Sequence, residues 1–121
     1  MHRDMDVIRK IVLAVRSAPD AVSSVDGITK QDFAYHAQLL DEAGLISAAI
    51  QGQGKRIAET AVIFRLTWAG QDFADSIIDD TLWNKAKENI IKPSASWTFG
   101  ILLEYLKYEI KRRIPGLDQL S

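Results

Sequence analysis

Residues 29–67 read TKQDFAYHAQLLDEAGLISAAIQGQGKRIAETAVIFRLT, and one periodicity gives way to another within them. Phe33, Ala37, Leu40 and Ala43 return at helical spacing behind Thr29, whose hydroxyl stands three residues before Asp32 in the relation of a capping box. Gly44 supplies the left-handed residue that stops such a helix. From Leu45 onward branched residues dominate, interrupted by Gly52, Gly54, Lys55 and Arg56. That pattern predicts two antiparallel strands joined by a glycine-containing loop with a basic tip.

Upstream, Val7, Ile8, Ile11, Val12 and Val15 make the apolar face of a first helix over residues 4–18, with Asp4 as its cap and Arg9, Lys10 and Arg16 on the other side. The following APDAVSSVDGI breaks the chain and predicts a short extended piece near Val25 to Ile28. Downstream, Thr67 caps a third helix that runs to Pro93, with Phe73, Ile77, Ile78, Leu82, Ala86 and Ile90 on one face. Trp68, Phe73, Ile77 and Trp83 are expected to anchor it. Ser94 or Ser96 starts a fourth helix, with Phe99, Leu102, Leu103, Leu106 and Ile110 inward, ended by Pro115-Gly116.

A chain of 121 residues with 47% hydrophobic content buries one core, so a single domain is expected, with 1–67 as its core and 68–113 as a helical extension packing on it or dimerising. The 15 basic and 16 acidic residues give no global field to attract polyanions, and any such partner must be met by a local patch. With no cysteine the chain has no disulfide framework, thiolate nucleophile or cysteine zinc site, which suits a reducing cytoplasm. Its longest apolar run near the start, Ile11 to Val15, is too short for a signal-peptide core or a membrane span. No membrane partner and no cofactor are expected.

Helix, glycine-stopped helix and basic-tipped hairpin follow one another in the order of a winged helix. The fold class expected is therefore α+β, mainly α: a winged helix-turn-helix-like core, a two-stranded wing and two additional C-terminal helices. YHAQLLDEAGLI at 35–46 resembles the end of the recognition helix in bacterial winged-helix regulators. RDMDVIRKI at 3–11 and RLTWAGQDFADSIIDDTLWNKAKE at 65–88 resemble the two signatures of a bacterial and prophage family known as domain of unknown function 2513. The resemblance covers nearly the whole chain and implies a phage or prophage context, without bringing an activity. Ser17 to Ile28 departs from the regulator pattern, because no amphipathic helix stands there to brace the recognition helix.

On a recognition helix, the first turn and the solvent face meet the major groove. Those positions are Lys30, Gln31, Tyr35 and Gln38, with chemistry suited to phosphate, guanine, adenine edges and the thymine methyl, and Lys55 and Arg56 on the wing would track backbone or minor groove. The competing account is that all six are ordinary solvated residues, and Asp32 and Asp41 would repel phosphate. His36 stands one turn after Asp32 at metal-ligand spacing, but two ligands do not complete a site, and a packing or hydrogen-bonding histidine is the expectation. Asp72, Asp75 and Asp79, with Asp80 beside them, form a stripe that reads as a solvated helix face and not as a metal or acid–base site.

Charge segregates along the second half. Thr67 to Trp83 holds four acids and no bases, whereas Asn84 to Arg113 holds seven bases and three acids. An antiparallel or two-fold association of these helices would pair the two, with Trp83, Trp97, Phe99, Leu103 and Leu106 as buried anchors of a homodimer. The competing account folds both helices back on their own core. The leading functional reading is thus a small non-enzymatic protein contacting double-stranded DNA through residues 29–43 and the wing at 51–56. The alternative is a winged-helix module that binds a host or phage protein and no DNA.

Overall fold

The computed structural model describes residues 1–52, 57–92 and 98–113 of the chain, and it is α+β and mainly helical. The chain divides into two compact units, Met1–Ala74 and Asp75–Ser121. The first holds α1 (Met5–Ser17), α2 (Lys30–Glu42), β1 (Ile46–Gln51), β2 (Thr60–Leu66) and most of α3 (Trp68–Ile77). The second holds the end of α3, α4 (Asp80–Ala86), a π-helical turn (Lys87–Ile91) and α5 (Phe99–Arg113).

Local chemistry sets the ends of the first two helices. Asp4 caps α1, its Oδ1 accepting the Asp6 N–H at 2.9 Å and the Val7 N–H at 3.4 Å. Thr29 caps α2, its hydroxyl oxygen accepting the Asp32 N–H at 3.1 Å. At the other end Leu45 N–H donates to the Leu40 carbonyl and Gly44 N–H to the Asp41 carbonyl, both at 3.0 Å, with Gly44 at φ 75°. This is the paired closure of a Schellman motif, and it turns the chain straight into β1.

The core of the first unit is built from Ile8, Ile11, Val12 and Val15 of α1, Phe33, Ala37 and Leu40 of α2, and Ile46, Ile63 and Leu66 of the hairpin, all buried. Helix α1 packs on α2 and β2, and α2 packs on both strands. Each large apolar side chain buried here contributes roughly 1.5–3 kcal/mol of transfer free energy. Ala43, expected on the inner face of α2, is exposed, because the helix has already closed on Leu40 and Asp41.

The strands are antiparallel, from Ile46 opposite Leu66 to Gln51 opposite Thr60. A bulge interrupts the register, since Ser47 faces Arg65 while Ala48 faces Ile63, leaving Phe64 without a cross-strand partner. The extended piece expected near Val25 to Ile28 lies earlier. Val22 makes a single antiparallel bridge to Ile63, with both backbone hydrogen bonds at 2.8 Å, whereas Asp26 and Gly27 form a turn.

The third helix is not continuous from Thr67 to Pro93. It ends at Ile77, and Asp79 restarts it as the cap of α4, its Oδ1 accepting the Leu82 N–H at 2.8 Å. After Ala86 the chain widens into the π-helical turn, in which Lys92 N–H reaches the Lys87 carbonyl at 2.9 Å. The aspartates 72, 75, 79 and 80 therefore do not form one stripe on one helix.

Helix α5 starts at Phe99, with Thr98 as its cap: the Thr98 hydroxyl oxygen accepts the Ile101 N–H at 3.2 Å. The proposed starts at Ser94 and Ser96 lie outside the described residues. In the second unit three polar links run in opposite sequence order along the two arms. Asp79 meets Arg113 at 3.0 Å, Lys85 meets Glu109 at 3.7 Å and the Asn89 amide donates to the Tyr105 hydroxyl at 2.8 Å. The order makes an antiparallel helical hairpin, with Leu82, Trp83, Ala86, Leu102 and Leu106 buried in it.

Candidate nucleic-acid interface

The first turn of α2 opens the candidate surface. Behind the Thr29 cap, Lys30 and Gln31 are exposed, and both line a cleft of about 480 Å³ whose other wall is the approach to β2, Ile57 to Thr60. A second cleft, of about 390 Å³, lies beside it between Ser23, Ser24, Lys30 and the strand residues Thr60 to Val62. Lys30 and Thr60 stand on both. The α2 start and the returning strand of the hairpin therefore line two neighbouring clefts in the first unit.

Tyr35 and Gln38 are placed differently. The Tyr35 hydroxyl lies 3.5 Å from the Met1 carbonyl, and its ring stands edge-on to His36 with centroids 5.1 Å apart. The Gln38 side-chain oxygen accepts the Ala58 N–H at 2.9 Å, tying the helix to the segment that enters β2. Both side chains are half-buried, while Asp41 and Glu42 at the far end of α2 are exposed, and Glu59 stands in the larger cleft with Lys30. Among the described residues that line the two clefts, the cation is Lys30, at the start of α2. Lys55 and Arg56 lie outside the described residues.

His36 is buried, and both its nitrogens are engaged. Nε2 accepts the Asp4 backbone N–H at 2.9 Å, and Nδ1 donates to the Asp32 carbonyl at 2.7 Å. The donor at Asp4 fixes the tautomer with the proton on Nδ1. Among the described residues no group of three or more His, Asp or Glu is arranged to hold a metal ion.

Of the side chains expected to anchor a dimer, Trp83 and Leu106 are buried in the second unit, Phe99 and Leu103 are half-buried, and Trp97 lies outside the described residues. The acidic and basic segments meet within the chain at Asp79 and Arg113. The Leu82 N–H, with the Arg113 guanidinium beside it, holds the Asp79 carboxyl below its ordinary value. Glu109 is buried and lies 3.2 Å from Arg112 as well as 3.7 Å from Lys85, so its charge is compensated from two sides. Trp68, expected as an anchor, is instead 86% exposed, while Phe73 and Ile77 are buried. Phe64 is 55% exposed, and reading the sequence missed it. Its sequence signal is the alternation itself, which with Ala61 and Ile63 inward places Phe64 on the outer face.

A family model described as "Hypothetical protein (DUF2513)" matches residues 2–96. The chain belongs to this family. An uncharacterized protein of Haemophilus influenzae is similar to it, 40% identical over 96 residues that span 74% of this chain and 79% of that protein. No solved structure matches. The two stretches that carry the DUF2513 resemblance meet the stretch that resembles a recognition helix at specific atoms. RDMD at 3–6 joins YHAQLLDEAGLI at 35–46 through Asp4 and His36. The end of the latter joins RLTWAG at 65–70, because the Thr67 N–H donates to the Leu45 carbonyl at 2.9 Å and the Thr67 hydroxyl to the Gly44 carbonyl at 2.7 Å. The Thr67 hydroxyl oxygen also accepts the Gly70 N–H at 3.1 Å, which starts α3 on that turn. A Cβ on Gly70 would collide with the Leu45 carbonyl oxygen. These motif residues hold the first unit together.

Proposed function

We propose that this DUF2513 protein is a small winged-helix-type protein of bacterial or prophage origin that works in the cytoplasm by occupying duplex DNA, not by chemistry. The observation that carries the reading is the recess that brings Lys30 and Gln31 beside the returning strand of the hairpin. A helix start and a wing placed side by side are the two elements such modules lay against a duplex. The Val22 bridge to Ile63 supports the same reading, since it adds a third strand position beside the hairpin. In this account Lys30 meets phosphate, Gln31 reaches a base edge, and Lys55 and Arg56 follow the backbone. Tyr35 and Gln38 are support residues, because their polar atoms already have partners.

Anisotropy of a labelled mixed-sequence duplex, titrated with the protein at low and moderate salt, tests the reading. Affinity should fall with salt, and the slope should become shallower in Lys30→Ala and in the Lys55→Ala/Arg56→Ala pair. Absence of binding at low salt overturns it.

A second reading, docking to a protein, is favoured by the exposure of Phe64 and Trp68. Aromatic side chains of this size are the usual anchors of protein interfaces.

A further inference from the structure

Phe64 and Trp68 sit four residues apart where β2 passes into α3, and both face solvent, whereas Phe33 and Phe73 of the same unit are buried. Alternation and the bulge together expose this corner. Ala61 and Ile63 are buried, so Phe64 falls on the outer face, and the extra residue puts Arg65 outward as well, opposite Ser47, before Leu66 returns to the core. The cap explains Trp68, which is the first helical residue after Thr67. The corner is held firmly, because Thr67 is bonded to Gly44 and Leu45 and Gly70 packs against the Leu45 carbonyl. Two large aromatics are therefore presented on fixed backbone.

The same side of the hairpin is otherwise small and nearly uncharged. Its cross-strand pairs are Ser47 with Arg65, Ala49 with Val62 and Gln51 with Thr60. Arg65 is the one charge among these six, and its Nη1 already donates to the Leu66 carbonyl at 3.1 Å.

We infer that this outer face of the hairpin, with Trp68, is the contact between two copies of the chain. A two-fold interface must be complementary to itself. With Arg65 as its one charge, this face meets its own image with no row of like charges. Burying a whole aromatic side chain removes about 150–250 Å² from water, and with 55% of Phe64 and 86% of Trp68 exposed the pair supplies about 200–350 Å² per copy. A stable interface takes about 800 Å² per partner, so the two aromatics anchor a smaller, reversible contact that the rest of the hairpin face completes. The dimer expected is reversible, with a dissociation constant on the order of micromolar. It differs from an association through Trp83 and Leu106, which are buried in the second unit.

Sedimentation of the full chain over about 1–200 µM, a range that brackets the micromolar constant, reads the proposal directly. The average mass should rise from 13.5 kDa towards twice that value. Phe64→Ser/Trp68→Ser should keep the helical circular dichroism and stay at 13.5 kDa throughout. Trp68→Gln, a milder change at a solvent-facing helix position, should by itself weaken association at least about ten-fold. A wild-type chain that stays monomeric, or Trp68→Gln that associates like wild type, overturns the inference. No nucleic acid is present in this experiment, so its result is separate from that of the duplex titration.

Discussion

The imidazole of His36 joins two helices, taking the Asp4 backbone N–H at 2.9 Å on Nε2 while donating from Nδ1 to Asp32 at 2.7 Å. Asp4 is also the cap of α1, so one residue fixes the helix by its carboxylate and fastens it to α2 by its backbone. His36→Leu keeps most of the buried volume but leaves the Asp4 N–H without this partner. Loss of one hydrogen bond to a partly buried donor costs about 1–3 kcal/mol. Urea unfolding followed by circular dichroism should show that loss, and unchanged stability would remove His36 from the architecture.

Gly70 inverts the usual rule for glycine in a helix. An alanine in a helix interior is ordinarily favoured by about 1 kcal/mol. Here the added methyl meets the Leu45 carbonyl oxygen, a backbone atom that cannot swing away. Gly70→Ala should therefore destabilise by about 1–3 kcal/mol, as overpacking does. A rise in melting temperature instead would mean that α3 does not rest on Leu45.

Gly44 has φ 75° with nothing near the position of an added Cβ. Gly44→Ala meets only the cost of the left-handed conformation, roughly 1–2 kcal/mol, and Gly44→Asn should restore part of it. A loss much larger than that, measured by the same unfolding assay, would point to a steric contact that the structure does not contain.

Acid should weaken the second unit in a defined direction. The Leu82 N–H and Arg113 favour the ionised Asp79, and the Lys92 ammonium, 2.6 Å from the Glu88 carboxylate, does the same there. Carboxyls depressed in the folded state add stability above their ordinary values, 3.8 for Asp79, and lose it as pH falls through the lower folded values. Thermal melts should thus show a lower transition as pH drops from about 4 to about 2, and Asp79→Asn should flatten part of that dependence. An unaltered acid profile in Asp79→Asn would contradict the hold that the Leu82 N–H and Arg113 together exert on the Asp79 carboxylate.

Gln38 and Lys30 separate scaffold from contact. Gln38→Leu removes the acceptor of the Ala58 N–H and should lower stability while leaving duplex affinity within about two-fold, as suits a side chain held inside the protein. Lys30→Ala should leave stability within about 0.5 kcal/mol and weaken duplex binding, as suits an exposed cation. The reverse pattern would move the contact surface along α2.

Features set by neighbours in sequence were legible in the chain itself: the caps at Asp4 and Thr29, the stop at Gly44 and the hairpin. The break at Asp79 was not, because Ile77, Ile78 and Leu82 continue a helical period across it and an aspartate suits both a solvated helix face and a cap. The outward position of Phe64 follows from alternation with Ala61 and Ile63, but the outward Arg65 and the inward Leu66 depend on a one-residue register shift that alternation alone does not disclose. Trp68 was assigned inward because large apolar residues are usually covered, and its exposure is set by where α3 begins. Gln38 looked free because its partner, Ala58, is twenty residues away. Of the candidate contact residues, Lys30 and Gln31 are found exposed on a shared recess, and Tyr35 and Gln38 are held within the fold.

The most direct test of the proposed duplex contact is a nuclear magnetic resonance titration of isotope-labelled protein with a short duplex at low salt, following backbone amides. The account predicts shifts concentrated at Lys30, Gln31 and residues 57–60, with Trp83, Ala86 and Leu106 unmoved. Shifts centred on α5, or none at all, would contradict it.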